Sequence, residues 1–371
     1  MREGWSYKKL GEVCELYQPQ TISTEQLVPD GQYSVYGANG IIGKYDKYNH
    51  EEKELLLTCR GATCGMINVS EPFSWINGNA MVVHAKDDSI TFDYLMYVLK
   101  ATDWSLVITG AAQPQITRKA LSPLKISIAP LTTQQQIVSE LDLLSHILDQ
   151  KRQQLKEYDA LAESIFYDMF GDPVENPKGW EVKKLGELSH LKNGLNFEKL
   201  DSGNLIKILG VSDFQNNRTV TPKGLTSIYL KIPVEEYLLK DNDLVFVRSN
   251  GSKSLIGRCV IMETDNEDIV FSGFCIRCRL TSNSIHPQFV SFVMQTKSVR
   301  DQITNAGQGC NISNVNQKIL GSFLMIVPPL SLQRSFASKI ESIEHQKQLL
   351  RASIKETEML FQSRMDYWFN S

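Results

Sequence analysis

Between residues 137 and 169, apolar side chains recur in alternating steps of four and three. The series is Ile137, Leu141, Leu144, Leu148, Lys151, Leu155, Tyr158, Ala162, Ile165 and Met169, broken only by Lys151. The positions between are filled by Gln, Glu, Asp, Lys and Arg. A stripe of period 3.5 on a polar helix is too narrow for a globular core and asks for a partner helix. Gln134, Gln135 and Gln136 open the run, and Gly171-Asp172-Pro173 stops it. The pattern predicts a helix over 132–170, about 58 Å long at 1.5 Å per residue. Such an element is a spacer.

A second run matches it at an offset of 199: Phe336, Ile340, Ile343, Lys347, Leu350, Ile354, Thr357, Phe361, Arg364 and Trp368. Its seam is less clean, because Lys347, Thr357 and Arg364 fall within it. The entry Ala129-Pro130-Leu131-Thr132-Thr133-Gln134 corresponds to Pro328-Pro329-Leu330-Ser331-Leu332-Gln333, and Phe170 falls on Phe369. The positions expected to pair are Ile137, Leu141, Leu144, Leu148 and Leu155 with Phe336, Ile340, Ile343, Leu350 and Ile354.

The stretches before the helices repeat as well. Gly4-Trp5-Ser6-Tyr7-Lys8-Lys9-Leu10-Gly11-Glu12 and Gly179-Trp180-Glu181-Val182-Lys183-Lys184-Leu185-Gly186-Glu187 share seven of nine residues at an offset of 175. The second copy therefore carries 24 extra residues inside it. Shared ends around a divergent middle indicate an internal duplication with a common frame and different contents. Alternating or apolar runs at 53–59, 79–85, 243–248 and 271–280 read as strands. Residues 92–102 and 287–299 read as equivalent helices, each followed by a polar, Gly-containing loop. Each half is a mixed α/β domain, and its sheet order is not readable from sequence. The division expected is 1–131 and 172–329 for the globular domains, with spacer helices at 132–171 and 330–371.

The chain has 371 residues and no apolar run long enough to span a membrane. Its opening lacks the apolar stretch of a signal peptide. Seven cysteines, an odd number, then read as reduced thiols of a cytoplasmic protein. Net charge is −3, which advertises no nucleic-acid partner. Segments 132–170 and 172–329 differ, with 3 basic against 7 acidic side chains in the first and 18 against 16 in the second. Any contact with phosphate must come from local basic patches on the globular halves.

Other chemistry is thinly supported. Pro29-Asp30 followed by Glu51-Glu52-Lys53 fits a loose Mg²⁺-nuclease pattern, with no counterpart in the second half. Cys275 and Cys278 have zinc-like spacing without a second pair, and on a strand their sulfurs point to opposite faces. They read as core residues, as do Cys59 and Cys64. Trp5 and Trp180 read as core anchors of the domain openings. No phosphate-binding Gly-x-x-x-x-Gly-Lys-Ser/Thr loop is present, nor the Asn/Asp-Pro-Pro-aromatic tetrapeptide of an adenine methyltransferase. No metal or cofactor is expected.

Along the chain stand a first Gly-Trp…Lys-Leu-Gly-Glu opening at 4–12, Ala112-Gln113-Pro114-Gln115-Ile116-Thr117, Pro130-Leu131…Gln134-Gln135, Phe170-Gly171-Asp172-Pro173 and a second opening at 179–187. With this arrangement around two long helices, the chain resembles, over its whole length, the specificity subunit of type I restriction-modification systems. The resemblance implies an α+β fold. Two tandem target-recognition domains would be separated by two long helices that pair as an antiparallel coiled coil, with internal pseudo-two-fold symmetry. It also implies a non-catalytic protein. Double-stranded DNA would be read as a split, asymmetric target, two modification (methyltransferase) subunits would bind the helices, and restriction subunits would join in the full complex. A spacer of this length places half-site centres on the order of 10–17 base pairs apart.

Arginine reads guanine and Asn or Gln reads adenine in the major groove, while lysine mostly holds phosphate. The candidate DNA-binding residues are therefore Asn39, Lys44, Arg60, Thr63, Gln113, Gln115 and Arg118 in the first half. In the second they are Arg248, Asn250, Lys253, Arg258, Asn311, Asn314 and Lys318. Two other readings compete. A stand-alone DNA nuclease would use Asp30, Glu51 and Lys53, and a plain coiled-coil scaffold would read no DNA.

Overall fold

The computed structural model describes residues 2–110, 113–197, 202–214, 218–305 and 314–370. The chain divides into two compact units, Met1–Gln153 with Arg351–Ser371, and Gln154–Leu350. Each unit thus combines a globular half with segments of both long helices.

The first unit contains β1 (Ser6–Lys9), β2 (Cys14–Tyr17), β3 (Tyr33–Gly37), β4 (Gly40–Tyr45), β5 (Leu55–Thr58), β6 (Ile67–Val69), β7 (Trp75–Ile76), β8 (Ala80–Ala85) and β9 (Lys125–Ile128). Strand β1 pairs antiparallel with β9, while two further sheets run in the orders β2-β8-β5-β6 and β4-β3-β7. The second unit contains β10 (Val182–Lys184), β11 (Ser189–Asn193), β12 (Asn204–Leu209), β13 (Thr219–Val220), β14 (Thr226–Leu230), β15 (Leu244–Val247), β16 (Cys259–Met262), β17 (Ile269–Phe271), β18 (Cys275–Leu280) and β19 (Leu324–Ile326). Its sheets are β10-β19, β11-β18-β15-β16-β13 and β14-β12-β17.

The two units share one topology. In both three-stranded sheets the middle strand pairs antiparallel on one side and parallel on the other. Strand β13 is the addition, laid parallel on β16. Most of the extra length falls at one point: residues 210–225 stand where the first unit has only residues 38–39 between β3 and β4.

The repeated Lys-Leu-Gly-Glu motif has a physical reason in both copies. Leu10 and Leu185 are fully buried. The Lys9 and Lys184 backbone N–H groups donate to the carboxylates of Glu12 (3.1 Å) and Glu187 (3.2 Å), which closes the first turn of a short helix. Gly11 and Gly186 face the backbone of Ser122 and Gly321, where a Cβ would meet the carbonyl oxygen at 3.2 Å in each case. The motif therefore welds the start of each half to its end.

Strand and helix boundaries depart from the sequence reading at two places. The run 271–280 is two strands, β17 and β18, joined by a turn at 272–274. At that turn the Cβ of a residue replacing Gly273 would collide with the Asn196 side chain. The helix expected over 287–299 is two, Pro287–Val293 and Lys297–Asn305. Between them the Gln295 and Thr296 N–H groups bond to carbonyls three residues back, and the Thr296 hydroxyl donates to Val293, tightening the turn enough to redirect the chain. Cys275 and Cys278 lie on opposite faces of β18, in two different apolar clusters. Burial pushes both thiols up to about 12.

The long helices span Leu131–Phe170 and Leu330–Phe369, each 40 residues. In the first unit, Ile137 and Leu141 are fully buried in a cluster with Met365 from the other helix, against Leu10, Tyr94 and Leu121. Further along, the Lys151 ammonium donates to the hydroxyls of Ser353 (2.8 Å) and Thr357 (2.7 Å). Arg364 forks onto Glu140, which also accepts from the Trp368 indole at 3.0 Å. Partners of rising number on one helix have falling number on the other, so the segments run antiparallel. The second unit repeats the sense. There Phe166 and Phe170 pack edge-on against Phe336, and Lys347 joins Asp159 (2.7 Å) and Glu344 (2.9 Å). The polar residues that interrupt both seams are thus matched to polar partners. Phe336, Ile340 and Ile343 are buried with Phe166 and Phe170 in the unit core, and Leu148 and Ile354 are buried too. Leu144, Leu155 and Leu350 are half-buried.

Candidate nucleic-acid interface

In the first unit three loop segments meet. Gln115 bridges Arg60 on one side and Thr109 on the other, Ile116 donates its N–H to the Cys59 carbonyl (3.0 Å), and Gly61 donates to the Pro114 carbonyl (3.2 Å). The β3–β4 turn joins them, since the Thr58 hydroxyl donates to the Ala38 carbonyl and the Asn39 side chain accepts from Asn68 at 3.3 Å. Asn39, Arg60, Thr63, Gln113 and Gln115 therefore belong to one rim, on which Arg60 and Gln113 are exposed. Lys44 is exposed but pairs with Ser34 toward the open end of the β3–β4 hairpin, away from the turn that carries Asn39. Arg118 lies past Thr117, whose hydroxyl caps a short helix at Ala120, and lines a cleft of about 440 Å³ with Glu15, Tyr17 and Lys86.

The second unit builds the same rim from different residues. Asn314, at an offset of 199 from Gln115, bridges Ser249, and Val315 donates to the Arg248 carbonyl (2.8 Å) as Ile116 does to Cys59. Arg248 also donates its backbone N–H to the Phe274 carbonyl at 2.8 Å. Its guanidinium reaches the Asn314 Oδ1 (3.4 Å) and the Gly273 carbonyl (3.5 Å), contacts at the long limit of hydrogen bonding. Asn250 folds its side-chain oxygen onto the Ser252 N–H (2.7 Å), shaping its own turn. Lys318 is exposed on the helix capped by Asn316. The Arg258 carbonyl accepts from the N–H of Val247, the residue before Arg248 (2.9 Å), and its charge acts on Arg218 and Arg300. Burial lowers both of those guanidinium pKa values; the positive charge of Arg258 lowers them further, while Glu344 opposes the shift at Arg218. Asn311 lies outside the described residues, as does the side chain of Lys253.

Sequence reasoning missed Phe274, a large aromatic side chain 62 % exposed at the β17–β18 turn, directly beside Arg248. A Phe immediately after a turn-forming Ser-Gly, between two apolar runs, was the available signal. The residues of the nuclease pattern take ordinary surface roles: Lys53 pairs with Asp93 at 3.3 Å and covers the Phe92 ring, and Asp30, Glu51 and Glu52 are exposed. Glu54, next in the chain, is buried against His84 (3.0 Å), and burial raises its carboxyl pKa. Among the described residues no three His, Cys, Asp or Glu side chains gather as a metal site. No helix among them is long and apolar enough to cross a membrane.

Comparison with known proteins agrees with this architecture. The family model described as "Type I restriction modification DNA specificity domain" matches residues 2–157 and 177–359. The chain is 23 % identical to the MjaVIII specificity subunit of Methanocaldococcus jannaschii over 96 % of its own length and 89 % of that protein. It is 23 % identical to the StySPI specificity subunit of Salmonella potsdam, over 92 % and 82 % of the two chains. Among solved structures, the type I restriction-modification S subunit from M. genitalium superposes with a TM-score of 0.61 at 15 % identity, covering 98 % of this chain and 96 % of that one. A chain from a structure concerned with complex assembly and conformational transition of the type I R-M system gives 0.58 at 14 % identity, covering 99 % and 97 %. With its two model matches each beginning near a Gly-Trp opening, the chain belongs to the type I restriction-modification DNA specificity family.

Proposed function

We propose that the chain is the sequence-reading subunit of a type I restriction-modification assembly, with each globular half contacting one part of a split duplex target. The observation that carries this reading is the pair Gln115 and Asn314. Both are amides at equivalent positions, and each is bridged to the loop that follows the equivalent strand. The side chains around them differ: Asn39, Arg60 and Thr63 in one rim, Arg248, Asn250 and Phe274 in the other. A shared frame with unlike readers suits two unlike half-sites. Arginine and amide side chains at the rims would read base edges, while Lys44, Arg118, Lys253, Arg258 and Lys318 would hold phosphate. Asn311, seven residues before Lys318 in the sequence, is a further candidate.

In this reading 1–131 and 172–329 are the recognition domains. The helices of 132–171 and 330–371 pair along their length as an antiparallel coiled coil, set the gap between half-sites and dock two modification subunits. Restriction subunits complete the nuclease. The chain supplies recognition in the cytoplasm, and the chemistry belongs to its partners. The test is to replace residues 172–329 with the corresponding segment of another specificity subunit, co-express with the modification subunits, and map methylated adenine. One half of the motif should change while the other half and the gap persist. If both halves change, or if no methylated motif depends on the chain, the reading fails.

A further inference from the structure

We propose that Arg248 is a guanine-reading residue of the second half-site and that Asn314 is the residue that positions it; this rests on the function proposed above. Arg248 sits on a fixed backbone. Its N–H is taken by Phe274 and its carbonyl by Val315, both at 2.8 Å, and the next residue is bridged to Asn314. A residue anchored on both sides projects its side chain in a defined direction, as a sequence reader must.

The guanidinium is oriented but not neutralised. Asn314 Oδ1 and the Gly273 carbonyl are neutral acceptors, reached at 3.4 and 3.5 Å. Other arginines of this unit differ: Arg279 forks onto Asp243 and Arg218 pairs with Glu344. Among the described residues no carboxylate pairs with Arg248. A half-buried cation with only two long contacts keeps most of its five donors for a partner. Guanine offers two acceptors, O6 and N7, along one edge, which a guanidinium meets with paired donors. Because the Asn314 oxygen faces the guanidinium, the corner presents donors outward, complementing guanine rather than the mixed donor and acceptor edge of adenine.

The first half lacks this device. The position equivalent to Arg248 is Cys59, and the arginine comes one residue later, as Arg60 directly opposite Gln115. Successive residues of an extended segment point to opposite faces. Arg60 and Arg248 therefore leave equivalent frames from opposite faces, and guanine is read at a different place relative to the frame in each half.

The experiment is selection from a pool of randomised DNA duplexes by the full chain assembled with its modification subunits, comparing the parent with Arg248→Lys, Arg248→Ala, Asn314→Ala and Asn314→Asp. Both Arg248 variants should lose preference for guanine at one position of one half-site by roughly 5- to 150-fold, with the other half-site and the gap unchanged. Asn314→Asp should abolish the same preference by drawing the guanidinium onto a carboxylate, and Asn314→Ala should weaken it. Arg248→Lys keeps the charge and most of the side chain, so it guards against a folding defect; thermal melting by circular dichroism checks each variant. If both Arg248 variants weaken binding uniformly and leave the base preference intact, Arg248 holds phosphate and the assignment falls while the split-target reading stands. If the Asn314 variants match the parent, the positioning role falls. A parent that selects no split site overturns both.

Discussion

The glutamines at the start of the long helices show how much one buried side chain can hold. Gln134 is fully buried. Its amide donates to the carbonyls of Ser89 (2.8 Å) and Ala129 (2.9 Å), and its oxygen accepts from the Thr91 N–H (2.9 Å). Gln333 repeats the pattern with Ser284, Pro328 and His286. Each one ties the loop before a domain helix to the first turn of a spacer helix. Removing it strands backbone groups out of reach of water, at roughly 1–3 kcal/mol for each orphaned partner. Gln134→Ala and Gln333→Ala should therefore each lower the chemical denaturation midpoint clearly, whereas Gln135→Ala, on an exposed side chain, should leave it within experimental error. In the sequence these residues read only as helix openers, because three successive glutamines look alike until burial separates them. The rim residues have the same character. Arginines and amides beside glycines mark candidate loops, but which of them face one another depends on pairings across more than fifty residues.

At the level of the elements, the period of 3.5 announced the spacer helices, and the polar breaks in the seam are matched pairs. Buried polar partners specify register and orientation more than they add stability. The Glu140–Arg364 pair gives a pH dependence. Hydrogen bonding to Arg364, opposed by burial and aided by Trp368, holds the Glu140 carboxyl below its ordinary value of 4.5. The ionised form is thus the one favoured by folding. Its contribution is complete above about pH 4.5 and is lost as the pH falls through the depressed value. For a pair about a third exposed that contribution is about 1 kcal/mol. Glu140→Gln should lower stability by that amount at pH 7 and by progressively less as the pH falls below 4.5, and urea unfolding across that range tests it. The same heptad reading placed Ile165 and Met169 on the seam, yet the structure buries Phe166 and Phe170 more deeply. The reason is local: near its end the helix packs on the domain core as well as on its partner, so the apolar face is wider than a two-helix seam.

For the whole molecule the duplication has the largest consequence. Two helices of equal length follow two halves with one topology, and residues 210–225 account for most of the difference in size. If the paired helices act as a ruler, inserting four residues into both lengthens the spacer by about 6 Å, or roughly two base pairs. The gap in the methylated motif should grow accordingly with both half-sites retained. An unchanged gap would remove the ruler from the mechanism. The site of the insertion leads to a separate expectation. Shortening 210–225 toward the two-residue turn of the first half should alter the second half-site alone, because that segment follows β12 as the turn carrying Asn39 follows β3.

The chain's repeats, its heptad stripe and its turn residues were enough to establish two related α/β halves, two spacer helices and a protein of this family. These features are local or periodic, so linear order preserves them. Strand order, the bridge from Arg60 to Gln115 and from Ser249 to Asn314, and the exposed corner of Arg248 and Phe274 came only with folding. They depend on hydrogen bonds between segments far apart in the chain, and no spacing along the sequence records which segment will lie beside which. On the function proposed here recognition is decided at that level: the frame is written twice in nearly the same words, while the side chains it brings to each rim are set by long-range pairing.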